Sequence, residues 1–113
     1  MSSRDVDITL RQMLDHGREI VEMTRGRTRE DLDSNRMLNL ALVRLLEVIG
    51  EAASRVSPDD RRRHSEIPWT QLVGMRNRLI HAYDRVDFDI LWAIVNREVP
   101  DLVRKLERML SPR

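Results

Sequence analysis

Apolar residues recur at three- and four-residue spacing along most of this chain, and no stretch alternates strictly between apolar and polar, so the pattern predicts an all-α fold. A first helix over about residues 5 to 25 carries Val6, Leu10, Met13, Leu14, Gly17, Ile20 and Val21 on one stripe, with Gly26 placed for a left-handed C-terminal cap. The polar segment Arg27 to Ser34 holds two carboxylate-rich turns. Asp33 or Ser34 then caps a long second helix ending near Val56, whose stripe is Leu38, Ala41, Leu42, Leu45, Ile49, Ala52, Ala53 and Val56. Leu40 and Val43 lie on another face, which predicts that the first half of this helix is buried on two sides.

Ser57-Pro58-Asp59-Asp60 reads as an N-cap, a proline at the first helical position and two first-turn acids, opening a short solvated helix through Arg61-Arg62-Arg63-His64. Pro68 opens a third helix reaching about Ala82, with a stripe of Trp69, Leu72, Val73, Leu79 and Ile80. Asp87 caps a last helix whose stripe runs from Phe88, Leu91, Trp92 and Val95 through Val99, Leu102, Val103 and Leu106 to Met109 and Leu110. Pro100 interrupts the sequence but not the phase, so a kinked continuous helix is expected.

With 113 residues, 41% hydrophobic and 35% charged, the chain reads as one domain spanning 1–113. A domain of this size has a modest core, and oligomerisation would supplement it. No apolar run approaches the roughly 20 residues of a membrane span, and the start lacks the apolar stretch of a secretory signal, so no membrane partner and a cytoplasmic location are expected. Cysteine is absent, which removes disulfides, thiolate nucleophiles and Cys-type zinc sites. The net charge of +1 argues against a strongly basic, sequence-independent nucleic-acid binder. Lys105 is the only lysine among 20 basic residues. The bias toward Arg, whose planar fork grips phosphate with two hydrogen bonds, suits a phosphate-rich ligand, and equally suits a coding sequence that prefers arginine codons.

At about 100° per residue, Arg76 falls near the centre of the third helix's apolar stripe. A guanidinium there needs a carboxylate such as Glu47 or Glu51, an acid of the last helix, carbonyl groups, or a wet cleft. Asn77 and His81, four residues apart, share an adjacent face where the Asn amide could orient the imidazole, and the helix C-terminus would favour imidazolium. By position alone a His here is more often a cap or core residue than an active-site group.

The stretch Arg76-Asn77-Arg78-Leu79-Ile80-His81-Ala82-Tyr83 resembles the signature of the HEPN superfamily, an Arg followed after four to six residues by a His. The Asn after the Arg and the Tyr two after the His resemble the HepT-like toxin branch. The likeness extends to Leu46-Glu47-Val48-Ile49-Gly50-Glu51-Ala52, to Ile67-Pro68-Trp69, and to Val86-Asp87 and Leu91-Trp92, covering about residues 34 to 103. It implies a compact helical bundle of four to five helices that pairs as a homodimer, with two motifs meeting at a cleft. It further implies the toxin of a toxin–antitoxin pair, a metal-independent endoribonuclease needing no cofactor, with RNA as substrate. The implied partner is a nucleotidyltransferase antitoxin, MntA-like, that silences the toxin by moving AMP from ATP onto tyrosine. Residue by residue, Arg76 and His81 become the catalytic pair, Asn77 its support and Tyr83 the AMPylation site. The rival reading is a catalytically silent HEPN binding module that holds a nucleotidyltransferase or a nucleotide.

The residues suit that chemistry. Cleavage by RNA's own 2′-hydroxyl needs a base, an acid and positive charge on the pentacoordinate transition state, which two copies of His81 and Arg76 would supply. Arg78 and the run Arg61, Arg62 and Arg63 are candidate RNA-binding residues, although a charge run is more often a solvated face. His16, His64 and His81 show no metal-ligand spacing, and Asp84, Asp87 and Asp89 read as a turn and a helix cap. No Gly-rich phosphate loop is present, so ATP hydrolysis is not expected.

Overall fold

The computed structural model describes residues 3–81, 83 and 85–110. Its elements, in chain order, are α1 (Ser3–Thr24), α2 (Asp31–Ser34), α3 (Arg36–Ser54), α4 (Pro58–Arg63), α5 (Trp69–Val73), α6 (Met75–Leu79), α7 (Phe88–Ala93), a π-helical turn (Ile94–Glu98) and α8 (Val99–Met109). Among the described residues the only extended pairing is an isolated antiparallel bridge between Ile80 and Val86. No described helix is long and apolar enough to cross a membrane.

α1, α3 and α8 form the body of the bundle, α1 lying against both others. Their stripes meet in one core in which Leu10, Met13, Ile20, Leu42, Leu46, Ile49, Leu91, Ile94 and Leu106 are fully buried. Burying such a side chain contributes about 1.5–3 kcal/mol relative to leaving it in water. Gly17 lets α8 close on α1: a Cβ there would stand 2.8 Å from Val103 Cγ2. Beyond α1, Gly26 takes φ +72, the left-handed conformation expected of it.

Four expectations change. The cap of α3 is Asn35, whose side chain accepts from Leu38 N at 3.0 Å, because Asp31–Ser34 close a separate turn that buries Leu32 and anchors its carbonyl to Asn39 Nδ2 at 2.9 Å. Leu46, outside the predicted stripe, is fully buried, whereas the first half of α3 is not covered on two sides: Met37 is 83% and Leu40 51% exposed. The expected third helix breaks at Gly74 into α5 and α6: Met75, outside the predicted stripe, enters the core and Val73 turns outward, while Trp69, Leu72 and Leu79 are buried as expected. The predicted end of that helix at Ala82 lies outside the described residues. Finally, the last helix meets Pro100 with a wide turn, Val99 N–H bonding Ile94 O five residues back. A π turn accommodates a residue that can neither donate to nor fit within the regular α ladder.

α4 is built as expected, with Ser57 Oγ accepting from Asp60 N at 3.2 Å and Pro58 in the first turn. It is more than a solvated connector. Asp60 is buried, and Trp69 Nε1 donates to Arg61 O at 3.1 Å and His64 O at 3.0 Å, which docks α5 against it.

Candidate functional site

The site grows out of the break at Gly74. α5 and α6 lie so close to α3 that a Cβ on Gly50 would stand 2.7 Å from the carbonyl oxygen of Leu72 and 3.3 Å from Met75 Cβ. With Met75 and Leu79 turned into the core, Arg76 and Asn77 face outward. Arg76 is therefore not at the centre of an apolar stripe. Its side chain is 63% exposed and its guanidinium donates to Glu47 Oε2 at 2.8 Å, Glu47 itself being only 22% exposed. Glu47, Gly50, Glu51, Val73, Met75 and Arg76 line an open groove of about 150 Å³ between α3 and α6.

After Leu79 the backbone turns extended at Ile80, and a tight loop doubles back to Val86. His81 N–H donates to Arg85 O at 2.7 Å, and Asp87 N–H to Leu79 O at 2.9 Å, tying the two arms together. Between them Tyr83 is 97% exposed, at φ 62. A non-glycine residue in this left-handed region costs roughly 1–2 kcal/mol, so the loop presents the phenol at a local conformational cost. Asp84 lies outside the described residues.

The loop brings His81 against Asp87. Nε2 stands 3.2 Å from Asp87 Oδ2, while Asp87 Oδ1 accepts from Asp89 N at 2.9 Å and Ile90 N at 3.1 Å, capping α7. The Ile90 N–H, more than any other group, holds the Asp87 carboxyl below its ordinary value, the Asp89 N–H and His81 adding to it against a smaller penalty from partial burial. The carboxylate, and not Asn77, is the partner of the imidazole. Because the helix ends at Leu79, Asn77 and His81 no longer share a helical face, and no long-helix terminus acts on the ring.

Each remaining candidate arginine has a partner. Arg78 forms a two-pronged pair with Glu98 at 2.9 and 2.6 Å, which raises the guanidinium further above its ordinary value; Glu98 closes the π turn. Arg61 donates to Val56 O at 2.9 Å and to Ala53 O and Ser54 O at 3.4 Å, closing the C-terminus of α3. Arg62 pairs with Asp59, and Arg63 with Asp60 at 3.2 Å. Among the described residues no three His, Asp or Glu side chains gather in a way that would hold a metal ion.

Sequence reading named Asp87 as a cap but missed its contact with His81. The only available signal was a His followed six residues later by a capping Asp. That spacing acquires meaning only once the loop closes.

The family described as Ribonuclease HepT-like matches residues 13–109. The chain is 36% identical over 107 residues to the candidate RNase MJ1380 of Methanocaldococcus jannaschii, covering 95% of this chain and 98% of that protein. It is 41% identical over 90 residues to a protein of Thermococcus cleftensis named Probable ribonuclease HepT, covering 80% and 82% respectively. A candidate RNase of Caldanaerobacter subterraneus, TTE0752, is 36% identical over 92 residues, or 81% of this chain and 82% of that protein. No solved structure matches the chain.

Proposed function

Because the chain belongs to the HepT-like ribonuclease family, we propose that it is a metal-independent endoribonuclease, the toxin of a toxin–antitoxin pair, with Arg76 as phosphate clamp and His81 as acid or base. The observation that carries this reading is an exposed imidazole, its ring held by a carboxylate at 3.2 Å, five residues from an exposed arginine. The 2′-oxygen of RNA attacks the adjacent phosphorus as a base takes its proton, and the leaving 5′-oxygen takes a proton from an acid. The guanidinium offsets charge on the phosphoryl oxygens. Asn77, exposed next to Arg76, has the donors to assist. Arg76 reaches substrate by exchanging Glu47 for an anionic phosphate. Arg78, held by Glu98 through two bonds, and Arg61, spent on the carbonyls that end α3, contribute less to RNA binding, whereas Arg62 and Arg63, exposed and each in a single pair, can exchange their carboxylates for phosphate as Arg76 does.

One subunit brings a single motif histidine, so a base and an acid together call for a homodimer. Met37 and Leu40 on α3 and Val73 on α5, all exposed, support pairing through the face that also bears Glu47 and Arg76. Tyr83 is the site at which a nucleotidyltransferase antitoxin places AMP. The exposed, proud position of its hydroxyl suits that transfer, and the added phosphate competes with RNA for Arg76.

The deciding experiment incubates purified protein with RNA in EDTA, beside His81→Ala and Arg76→Ala. Cleavage by the wild type and its loss in both variants is expected, with DNA of the same sequence left intact because it lacks the 2′-hydroxyl. No cleavage, with His81→Ala indistinguishable from wild type, overturns the enzyme in favour of a silent binding module. Light scattering should give about twice the 13.4 kDa chain mass, and Leu40→Glu should lower it toward the monomer.

A further inference from the structure

We propose that Asp87 is a positioning residue that fixes the tautomer of His81, so that the histidine acts through Nδ1. The catalytic consequence rests on the ribonuclease reading above; the tautomer itself does not.

The argument begins with the two oxygens of one carboxylate. Oδ1 is engaged by the N–H groups of Asp89 and Ile90, so the group cannot rotate without uncapping α7. Oδ2 faces His81 Nε2 at 3.2 Å. An ionised carboxylate only accepts hydrogen bonds, so in the neutral ring the proton must sit on Nε2, and Nδ1 keeps the lone pair. The backbone sets the two residues opposite one another: His81 N–H is bound to Arg85 O at 2.7 Å and Asp87 N–H to Leu79 O at 2.9 Å, holding them on facing arms of the same loop. The histidine side chain is nonetheless 56% exposed, open to a substrate.

Nδ1 therefore accepts the proton of the 2′-hydroxyl as the 2′-oxygen bonds to phosphorus. The resulting imidazolium keeps its Nε2–H on Asp87, whose charge offsets the new positive charge. The P–O5′ bond breaks, and O5′ takes a proton from the second acid, assigned in the dimer reading to the other copy of His81. Asp87 touches neither RNA nor the reacting atoms.

Asp87→Asn separates the two duties. Its carbonyl oxygen still caps α7, but an NH₂ now faces Nε2 and forces that nitrogen to accept, moving the ring proton to Nδ1. In ¹⁵N-histidine-labelled protein at about pH 8.5, where free imidazole is neutral, long-range ¹⁵N–¹H correlation spectra distinguish the two nitrogens, with His81→Ala giving the assignment. The wild type should show a protonated Nε2 and an unprotonated Nδ1, and Asp87→Asn the reverse. Thermal melting of Asp87→Asn should stay within a few degrees of wild type. RNA cleavage should lose kcat by about 10-fold to about 10⁴-fold, the upper figure being the cost of the wrong tautomer in a buried Asp–His pair, with KM little changed. Asp87→Ser, which keeps a cap and frees the ring, should give a mixture of tautomers and an intermediate kcat. A wild-type His81 protonated on Nδ1, or a tautomer unchanged in Asp87→Asn, overturns the proposal even if RNA is cleaved. The expected tautomers in a protein that cleaves no RNA would sustain the positioning role and remove the ribonuclease reading instead.

Discussion

Replacing Gly50 by alanine tests whether the approach of α5 and α6 to α3 builds the site. The new Cβ would stand 2.7 Å from Leu72 O, where ordinary contact begins at 3.4 Å, so the helices must separate by about 0.7 Å. The obstructing atom is backbone, and no rotamer change relieves it. Alanine gains about 1 kcal/mol in helix propensity over glycine, while overpacking costs about 1–3 kcal/mol. Gly17→Ala is the internal control: it has the same propensity gain, but its clash is with Val103 Cγ2 at 2.8 Å, a side-chain methyl that can move. Urea unfolding followed by circular dichroism should therefore find Gly50→Ala less stable than Gly17→Ala by about 1–2 kcal/mol, at equal slope. The same displacement carries Arg76 away from Glu47, and RNA cleavage by the still-folded Gly50→Ala protein should fall about tenfold or more, since misplacement by about 1 Å can cost about 10²-fold. Equal stability of the two variants would refute the claim that α3 and α5 meet backbone to backbone at Gly50.

Arg61→Ala should destabilise the domain by about 1 kcal/mol by uncovering the last carbonyls of α3, whereas Arg62→Ala, at an exposed pair, should change urea stability by less than about 0.5 kcal/mol. Tyr83→Gly should be at least as stable as wild type, because glycine adopts φ 62 without the roughly 1 kcal/mol strain of a side chain; a loss above about 1 kcal/mol in differential scanning calorimetry would show that the ring packs on the bundle. The Asp87 carboxyl is lowered in the folded state, so its contribution is complete above its unfolded value of about 4 and is lost as pH falls through the lower native value. Wild type and Asp87→Ala should accordingly differ in urea midpoint at pH 5 and converge as the pH falls below about 4, and a gap that persists undiminished in that acid would contradict the assignment.

The helical class, α1, α4 and the cap at Asp87 were legible in the sequence because each depends on neighbours within a turn or two: the 3.6-residue period, Ser57 before Pro58, Gly26 past the last apolar residue. Spacing drew attention to Arg76, Asn77 and His81, but their expected roles, and Tyr83 altogether, came from the resemblance of Arg76 to Tyr83 to the HepT-like motif. The local reading placed Arg76 on the wrong face because it continued one helical phase through Gly74. Whether glycine interrupts a helix is decided by what packs against it, here α3 with Gly50 at the contact. The exposure of Leu40 and Met37 and the clasp of Arg78 by Glu98 likewise depend on how distant segments pack. Asp87 shows the division most sharply. Its cap on α7 is a contact over two and three residues that the sequence determined, whereas its hold on His81 exists only because Ile80 and Val86 pair and close the loop, a step whose free energy depends on the core beneath it.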